Sequence, residues 1–513
     1  MSANSKPAIF DQGPPPPCPH AFNLAAYVLS HAQDLAERSA LCVLSADGAE
    51  RWSYAALEAA VLGTARGFLD QGLRPGDRVL MRLGNSVEFP VCYLASIAAD
   101  LIPVPTSSLL TAPEVAQIAD DVSPALIVAE DGLSLPPEPP CPVISAEAMR
   151  QMYALPPADY AMGDPERPAY IIYTSGTSGS PRAVTHAHRA IWARRMMWEG
   201  WYGLKQSDRL LHAGAFNWTY TLGTGLMDPW TVGATSLIPD KSVTPDQLGA
   251  LLAEHEATLF AAAPGIYRRL LRNDLPKLPA LRHGLSAGEK LPDATRAAWE
   301  SATGTPVFEA FGMSECSTFV SGSPSHPAPA GTLGYPQTGR RVAVLGEDGP
   351  VAVGAPGVLS VSHRDPGLML CYWGAEDETK ARFQGEWFLT GDMVRMGEDG
   401  ALTYLGRADD MMNAGGIRVS PIEVEHALNA HPAIAESAAA EVQVKADTTV
   451  IAAFYVAKSD VATEELERFA AERLAGYKCP RIYAQVEALP KGANGKLLRR
   501  ALREAYEKSH SPA

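Results

Sequence analysis

Residues 173–182 read YTSGTSGSPR and continue directly from an apolar run, AYIIY at 169–173. Seven of these ten residues are Ser, Thr or Gly. Glycines let a backbone turn tightly and approach an anion, so that successive N–H groups and several hydroxyls can surround phosphate oxygens. The stretch lacks the Gly-x4-Gly-Lys-Ser/Thr spacing of the Walker loop, so it is not that NTPase motif. Taken alone, such a stretch is an ordinary turn after a strand, and its meaning depends on what surrounds it.

Outward from this turn the chain alternates short apolar strands with helix-like stretches. Residues 53–72 place Leu57, Val61, Ala65 and Phe68 near helical spacing, and DRVLMRL at 77–83 follows as a strand. PALIVAE at 124–130, ATLFAAA at 257–263 and PVFEAF at 306–311 repeat the pattern. This alternation indicates an α/β chain with parallel or mixed sheets. Near Arg407 the strand-like ALTYLG meets a charged GRADD segment. Ser420, Pro421 and Glu423 then read as N-cap, first-turn proline and capping-box acid. A strand at 448–457 and a helix at 463–474, with Leu466, Phe469, Ala470 and Leu474 on one face, complete a small α+β domain. The expected division is therefore 1–406, a large domain of mixed sheets with helices, and 407–513, a small C-terminal domain.

The chain has 513 residues and a formal charge of −15, which argues against an extended phosphate-tracking surface and hence against nucleic acid as a partner. From Arg407 onward basic and acidic residues nearly balance, so the acidity sits on the large domain. Seven cysteines without a CxxC pair signal neither a disulfide framework nor a zinc site. The first 18 residues lack an apolar signal-peptide core, and the apolar stretch at 93–110 is broken by Asp100, Pro103 and Pro105. The expectation is a cytoplasmic protein without membrane insertion.

Four further groups carry chemical potential: Glu315 in FEAFGMSE, Asp392 in WFLTGD, Arg407 in LGRADD and Lys496 in LPKGANGK. Singly, each has a plain structural explanation as a cap, a turn residue, an ion pair or a solvated cation. In this order, together with YTSGTSGSPRAVTHAHRA at 173–190, SAGEKLP at 286–292 and GRADDMMNAGGIRVSPIEVE at 406–425, they resemble the adenylate-forming (AMP-binding) superfamily of acyl- and aryl-CoA ligases. The wording is similar in particular to benzoate-CoA ligases and short- or medium-chain acyl-CoA synthetases.

The resemblance implies the adenylate-forming fold, with the small domain as a mobile lid, and a two-step reaction. ATP and a carboxylic acid would give an acyl-adenylate, and coenzyme A would then give the thioester. Thr174, Ser175, Gly176, Thr177, Ser178 and Gly179 would hold the β- and γ-phosphates. Glu315 matches the Mg²⁺-binding acid, acting with Thr174 or Thr177. Ala287, Gly288 and Glu289, with Glu309, Ala310, Phe311, Gly312, Met313 and Ser314, match segments wrapping the adenine. Asp392 would accept the ribose hydroxyls beside Arg407, and Lys496 would bridge the attacking carboxylate and the α-phosphate. Asp409 matches the hinge, and Gly415 and Gly416 the turn beside the pantetheine tunnel. The acyl pocket would include Phe216, Asn217, Trp218, Thr219, Tyr220 and Ser286. Its bulky rings favour an aromatic or short-to-medium-chain acid, although Trp218 and Tyr220 also suit plain core packing.

Departures from the family pattern are Arg182-Ala183 for Lys-Gly, Ser314 for Thr, and Met411-Met412-Asn413 for a run ending in lysine. His186 and His188 could suggest a metal pair. The resemblance instead places them at the start of a helix, in a structural role. Arg499 and Arg500 read as surface residues. Pro490, Gly495 and Lys496 resemble the acetylation sites of related ligases, which would make Lys496 a regulatory acetylation site, and a homodimer is compatible with the family. The rival activities are loading of a separate carrier protein and non-catalytic binding of an acyl-nucleotide.

Overall fold

The computed structural model describes residues 6–174, 182–408, 410–414, 417–445, 448–474, 476–492 and 497–509. The chain forms two compact units. The larger comprises Phe10–Arg341 and Val361–Phe388, and the smaller comprises Met1–Ile9, Val342–Ser360 and Leu389–Ala513.

The larger unit is organised by a nine-stranded sheet. Its central strands, Val307–Met313, His283–Ala287, Leu259–Ala262, Arg209–His212, Thr235–Pro239 and Ser39–Ser45, are paired in parallel in that order. Antiparallel strands close both edges: Ser317–Ser321 and Tyr335–Pro336 at one, Gly48–Ser53 at the other. Leu259–Ala262, Thr235–Pro239 and His283–Ala287 are buried throughout, as parallel strands covered on both faces require. This is why those segments read as continuous apolar runs rather than alternating ones. A parallel four-stranded sheet, ordered Ile102–Pro105, Arg78–Arg82, Leu126–Ala129 and Val143–Ser145, lies in the same unit.

Helix Tyr54–Asp70 starts where Ser53 Oγ accepts the Ala56 N–H, and it buries Leu57, Val61, Ala65 and Phe68 as their spacing predicts. Strand Pro168–Thr174 pairs antiparallel with Arg182–Ala187, Thr174 opposite Arg182. The stretch carrying His186 is thus a strand. The helix begins only at Ala190, which corrects the expected helical start.

In the smaller unit, the strand Trp387–Met396, whose first two residues belong to the larger one, pairs antiparallel with Leu402–Arg407. Beyond them, Ile434–Lys445 pairs antiparallel with Thr448–Ala457, which is parallel to Ile482–Gln485. Helix Pro421–Asn429 is capped by Ser420, whose Oγ accepts the Glu423 N–H. The Glu423 carboxylate turns to Lys478 instead of closing a capping box. Among the described residues, no helix is long and apolar enough to cross a membrane.

Candidate active site

The nine-stranded sheet reverses its order at Arg209–His212, which has Thr235–Pro239 on one side and Leu259–Ala262 on the other. Such a reversal opens a crevice outside the carboxyl ends of the strands. The segment leaving that end is AGAFNWTYTLGTG at 213–225. Because the strands are parallel, His283–Ala287 and Val307–Met313 deliver residues 286–289 and 310–315 to the same edge. Three of the expected site segments therefore meet through topology.

Asn85 fixes the first of them. Its Nδ2 donates to the carbonyls of Gly214 (2.9 Å) and Pro239 (3.0 Å), and its Oδ1 accepts the Phe216 N–H (2.8 Å). Phe216 is buried against Phe89, with ring centroids 5.3 Å apart. Tyr220 is buried too; its hydroxyl donates to the Leu285 carbonyl (3.0 Å) and its ring packs on His212 at 4.4 Å and Trp218 at 5.1 Å. Trp218 is half-buried and leans on Gly288, where an added Cβ would stand 2.9 Å from the indole. Gly288 also has φ +96°, so close approach and backbone geometry both call for glycine there. Asn217 and Thr219 are half-buried beside them, and Ser286 is fully buried with an unpartnered hydroxyl. Ala287 continues the strand, Glu289 is half-buried, and Ala310 lies opposite Ala287.

Glu309 turns its carboxylate to Arg296 and to the Leu291 N–H, while burial raises its pKa. Its side chain therefore braces the wall of the crevice. Phe311 is half-buried edge-on to Phe319 at 5.7 Å, and the strand bulges between Phe311 and Gly312. An added Cβ on Gly312 would collide with the Ser317 backbone. The Met313 carbonyl accepts the Cys316 N–H, and the Ser314 carbonyl faces His186 Nε2 at 2.7 Å.

Glu315 is 9% exposed. Its Oε1 accepts the Tyr372 hydroxyl (2.7 Å), and its backbone carbonyl accepts the Met369 N–H (2.7 Å). Tyr372 reaches it because Cys371–Tyr372 pairs with strand Arg182–Ala187. The Arg182 guanidinium lies 5.2 Å from the Tyr372 ring centroid. Thr174, opposite Arg182, ends the strand before the Ser/Thr/Gly-rich segment. Ser175, Gly176, Thr177, Ser178 and Gly179 lie outside the described residues.

In the smaller unit, Asp392 and Arg407 are cross-strand partners. Asp392 Oδ2 accepts Arg407 Nη1 at 3.1 Å, and Oδ1 accepts the Tyr404 hydroxyl at 2.9 Å. Arg407 also donates to the Thr390 carbonyl (3.1 Å). Strands Met412–Ala414 and Ile417–Val419 pair on either side of Gly415 and Gly416, which, with Asp409 and Lys496, lie outside the described residues. The chain bracketing Lys496 is drawn together, with Lys491 bridging to Leu497 and the Leu498 N–H donating to the Pro490 carbonyl (2.9 Å).

Arg499 is not a surface residue. It grips Glu425 in a bidentate pair, Nε to Oε1 at 2.8 Å and Nη2 to Oε2 at 2.7 Å, whereas Arg500 is exposed and pairs with Glu504. Sequence reading missed this anchor, and also Asn85, Tyr372, Tyr404 and the buried pair of Arg194 with Asp228 (2.6 Å). The last is fixed further by the Tyr202 hydroxyl, 2.6 Å from Asp228. His188 accepts the Leu24 N–H at Nδ1 (3.0 Å) and faces Asp100, and no metal-holding cluster of His, Cys, Asp or Glu occurs among the described residues.

The chain is similar to the benzoate–CoA ligase of Thauera aromatica, with 30% identity over 478 residues, covering 85% of this chain and 87% of the relative. The crystal structure of a benzoate CoA ligase from Burkholderia xenovorans LB400 superposes with a TM-score of 0.82 at 29% identity, covering 94% of this chain and all of that one (100%). The anthranilate CoA ligase AuaEII, solved in complex with anthranoyl-AMP, gives 0.83 at 26% identity, over 96% and 99% of the two chains. The model of the AMP-binding enzyme family matches residues 30–373, and that of the AMP-binding enzyme C-terminal domain matches residues 423–496. The chain is an enzyme of the AMP-binding family, with the adenylate-forming fold.

Proposed function

We propose that the protein is an AMP-forming acid:CoA ligase. It activates an aromatic or short-to-medium-chain monocarboxylic acid with ATP and passes the acyl group to coenzyme A. The observation that carries this reading is the convergence of segments 213–220, 286–289 and 310–315 on one carboxyl edge at the sheet's switch point, with Trp218 against Gly288. The same edge offers an aromatic wall for an acyl group and a backbone wall for a nucleotide.

In the first step the acid's carboxylate attacks the α-phosphorus, and charge builds on the in-line phosphoryl group as pyrophosphate leaves. The loop 174–179 would hold the departing phosphates, and Lys496 would steady both the attacking carboxylate and the α-phosphate. Asp392, its charge balanced by Arg407, would accept the ribose hydroxyls. Glu315 and Thr174 supply hard oxygen donors, and a single carboxylate with a hydroxyl suits Mg²⁺, which keeps most of its water. The ion would supply charge neutralisation at the phosphates. For the second step the lid, residues 407–513 hinged at Asp409, would turn so that Gly415 and Gly416 replace Lys496 beside the thiol. Acetylation of Lys496 would remove its cation and stop the first step. The protein would work in the cytoplasm.

The test is a panel of free acids assayed for CoA-dependent AMP and thioester formation. The expected result is an acyl-CoA from at least one benzoate or short-chain acid, with AMP in equal amount. Thioester only on a carrier protein, or bound adenylate without turnover, would overturn the reading.

A further inference from the structure

Arg194 and Asp228 are both buried, Asp228 at 1% exposure. Nε and Nη2 of the guanidinium grip the two Asp228 oxygens at 2.7 and 2.6 Å, and Nη1 donates to Ser317 Oγ. Nη2 also lies 3.2 Å from the Tyr202 hydroxyl and 3.4 Å from Thr224 Oγ1, and those two hydroxyls are 2.9 Å apart. An added Cβ on Gly223 would collide with the guanidinium, so the backbone there lies directly against it. One planar group therefore touches two separate segments of the larger unit.

The first segment is helix Thr221–Met227, buried along its whole length, which continues from Tyr220 and carries Gly223 and Thr224. The second is the turn after Glu315. Ser317 stands two residues beyond that acid with φ +61°, a left-handed conformation that a serine keeps only where its surroundings fix it. Helix Thr221–Met227 and the segment Trp198–Tyr202, which brings the Tyr202 hydroxyl, are both wound as π-helices, a rare form that recurs at functional sites. A buried ion pair is a poor device for stability alone, because apolar side chains of similar size hold a fold as well or better. A guanidinium is a good device for geometry, because its donors are fixed in a rigid plane.

We infer that Arg194, clamped by Asp228, is a positioning residue that fixes the helix behind the acyl wall against the turn that follows Glu315, and so sets where the acid's carboxylate meets the α-phosphorus. This rests on the ligase reading above. Arg194 acts through Gly223, Thr224 and Ser317 rather than on the reacting atoms. The in-line attack of the first step tolerates little displacement, and a misplacement of about 1 Å lowers such a rate about 10²-fold.

The experiment measures pyrophosphate–ATP exchange and denaturant midpoints for the wild type, Ser317→Ala and the double variant Arg194→Met/Asp228→Leu, using the acid of the panel that the wild type activates best. The double variant removes both charges together, so it should keep the wild-type midpoint, yet its kcat/KM for the acid should fall about 10²-fold. Ser317→Ala removes only the hydroxyl that Nη1 holds. It should lower the same quantity about 10-fold, mainly through a raised KM for the acid, with KM for ATP unchanged. A merely structural role would reduce the amount of folded enzyme, so that kcat per mole of protein falls while both KM values stay as they were. That pattern in Ser317→Ala, wild-type kinetics in that variant, or a folded double variant as active as the wild type would overturn the inference. Ser317→Ala decides the matter if the double variant does not fold. Each of these outcomes leaves the ligase reading standing, whereas no exchange and no thioester from the wild type with any acid would remove both.

Discussion

Glu315 in the larger unit and Asp392 in the smaller are both nearly buried carboxylates, and each accepts a tyrosine hydroxyl, from Tyr372 at 2.7 Å and Tyr404 at 2.9 Å. They differ in charge balance. Asp392 faces Arg407 at 3.1 Å, while among the described residues no Lys or Arg lies within ion-pair range of Glu315. The guanidinium nearest in role, Arg182, lies over the Tyr372 ring and pairs with Glu378 instead. A carboxylate already paired with a guanidinium keeps lone pairs for neutral hydroxyls, whereas one without a cation among the described residues leaves its oxygens open to a metal ion. The proposed roles, sugar for one and metal for the other, follow this difference.

Substitutions should separate the two roles. Glu315→Gln keeps the shape and removes the charge, and it should lower acid-dependent pyrophosphate–ATP exchange by about 10²–10³. Arg407→Ala removes the charge-assisted hydrogen bond to Asp392 and should cost about 2 kcal/mol, seen as a lower denaturant midpoint for the smaller unit and weaker ATP binding.

Acid should act on the opposite unit. Burial pushes His212 down to about 3 and His283 to about 4, both in the larger unit and both from an ordinary value of 6.5. A group with a depressed folded-state pKa contributes stability above its unfolded pKa and loses it as pH falls, here from 6.5 towards about 4 and 3. At pH 5 each should cost about 2 kcal/mol. All nine tryptophans lie in the larger unit, so their fluorescence in denaturant titrations at pH 7 and pH 5 reads this loss directly. The smallest effects should come from Tyr372→Phe and Tyr404→Phe, each removing one hydrogen bond to a carboxylate at about 1–2 kcal/mol. The first should appear in the Mg²⁺ requirement and the second in KM for ATP.

Much of this was legible in the sequence because it is local. Ser53 and the spacing of Leu57, Val61, Ala65 and Phe68 place the helix Tyr54–Asp70, and continuous apolar runs mark strands buried on both faces. Glu315, Asp392 and Arg407 stand out through ordered motifs, and the strand pairing of Asp392 with Arg407 gives the expected adjacency a geometric cause. What escaped depends on partners far along the chain. Arg499 reads as a surface cation until Glu425, 74 residues away, is folded against it. Tyr372 and Tyr404 carry no motif of their own, and Asn85 acts on a loop 129 residues distant. The resemblance puts His186 at the start of a helix, whereas pairing of Arg182–Ala187 with Pro168–Thr174, set by tertiary structure, makes its stretch a strand.

The most direct measurement is acid-dependent pyrophosphate–ATP exchange as Mg²⁺ is titrated, on the wild-type enzyme, Glu315→Gln and Asp392→Asn. The account predicts exchange in the wild type, a Mg²⁺ requirement raised about 10-fold or more in Glu315→Gln alone, and a raised KM for ATP with an unchanged Mg²⁺ requirement in Asp392→Asn. Equal shifts of the Mg²⁺ requirement in both variants, or no exchange by the wild-type enzyme with any acid, would contradict it.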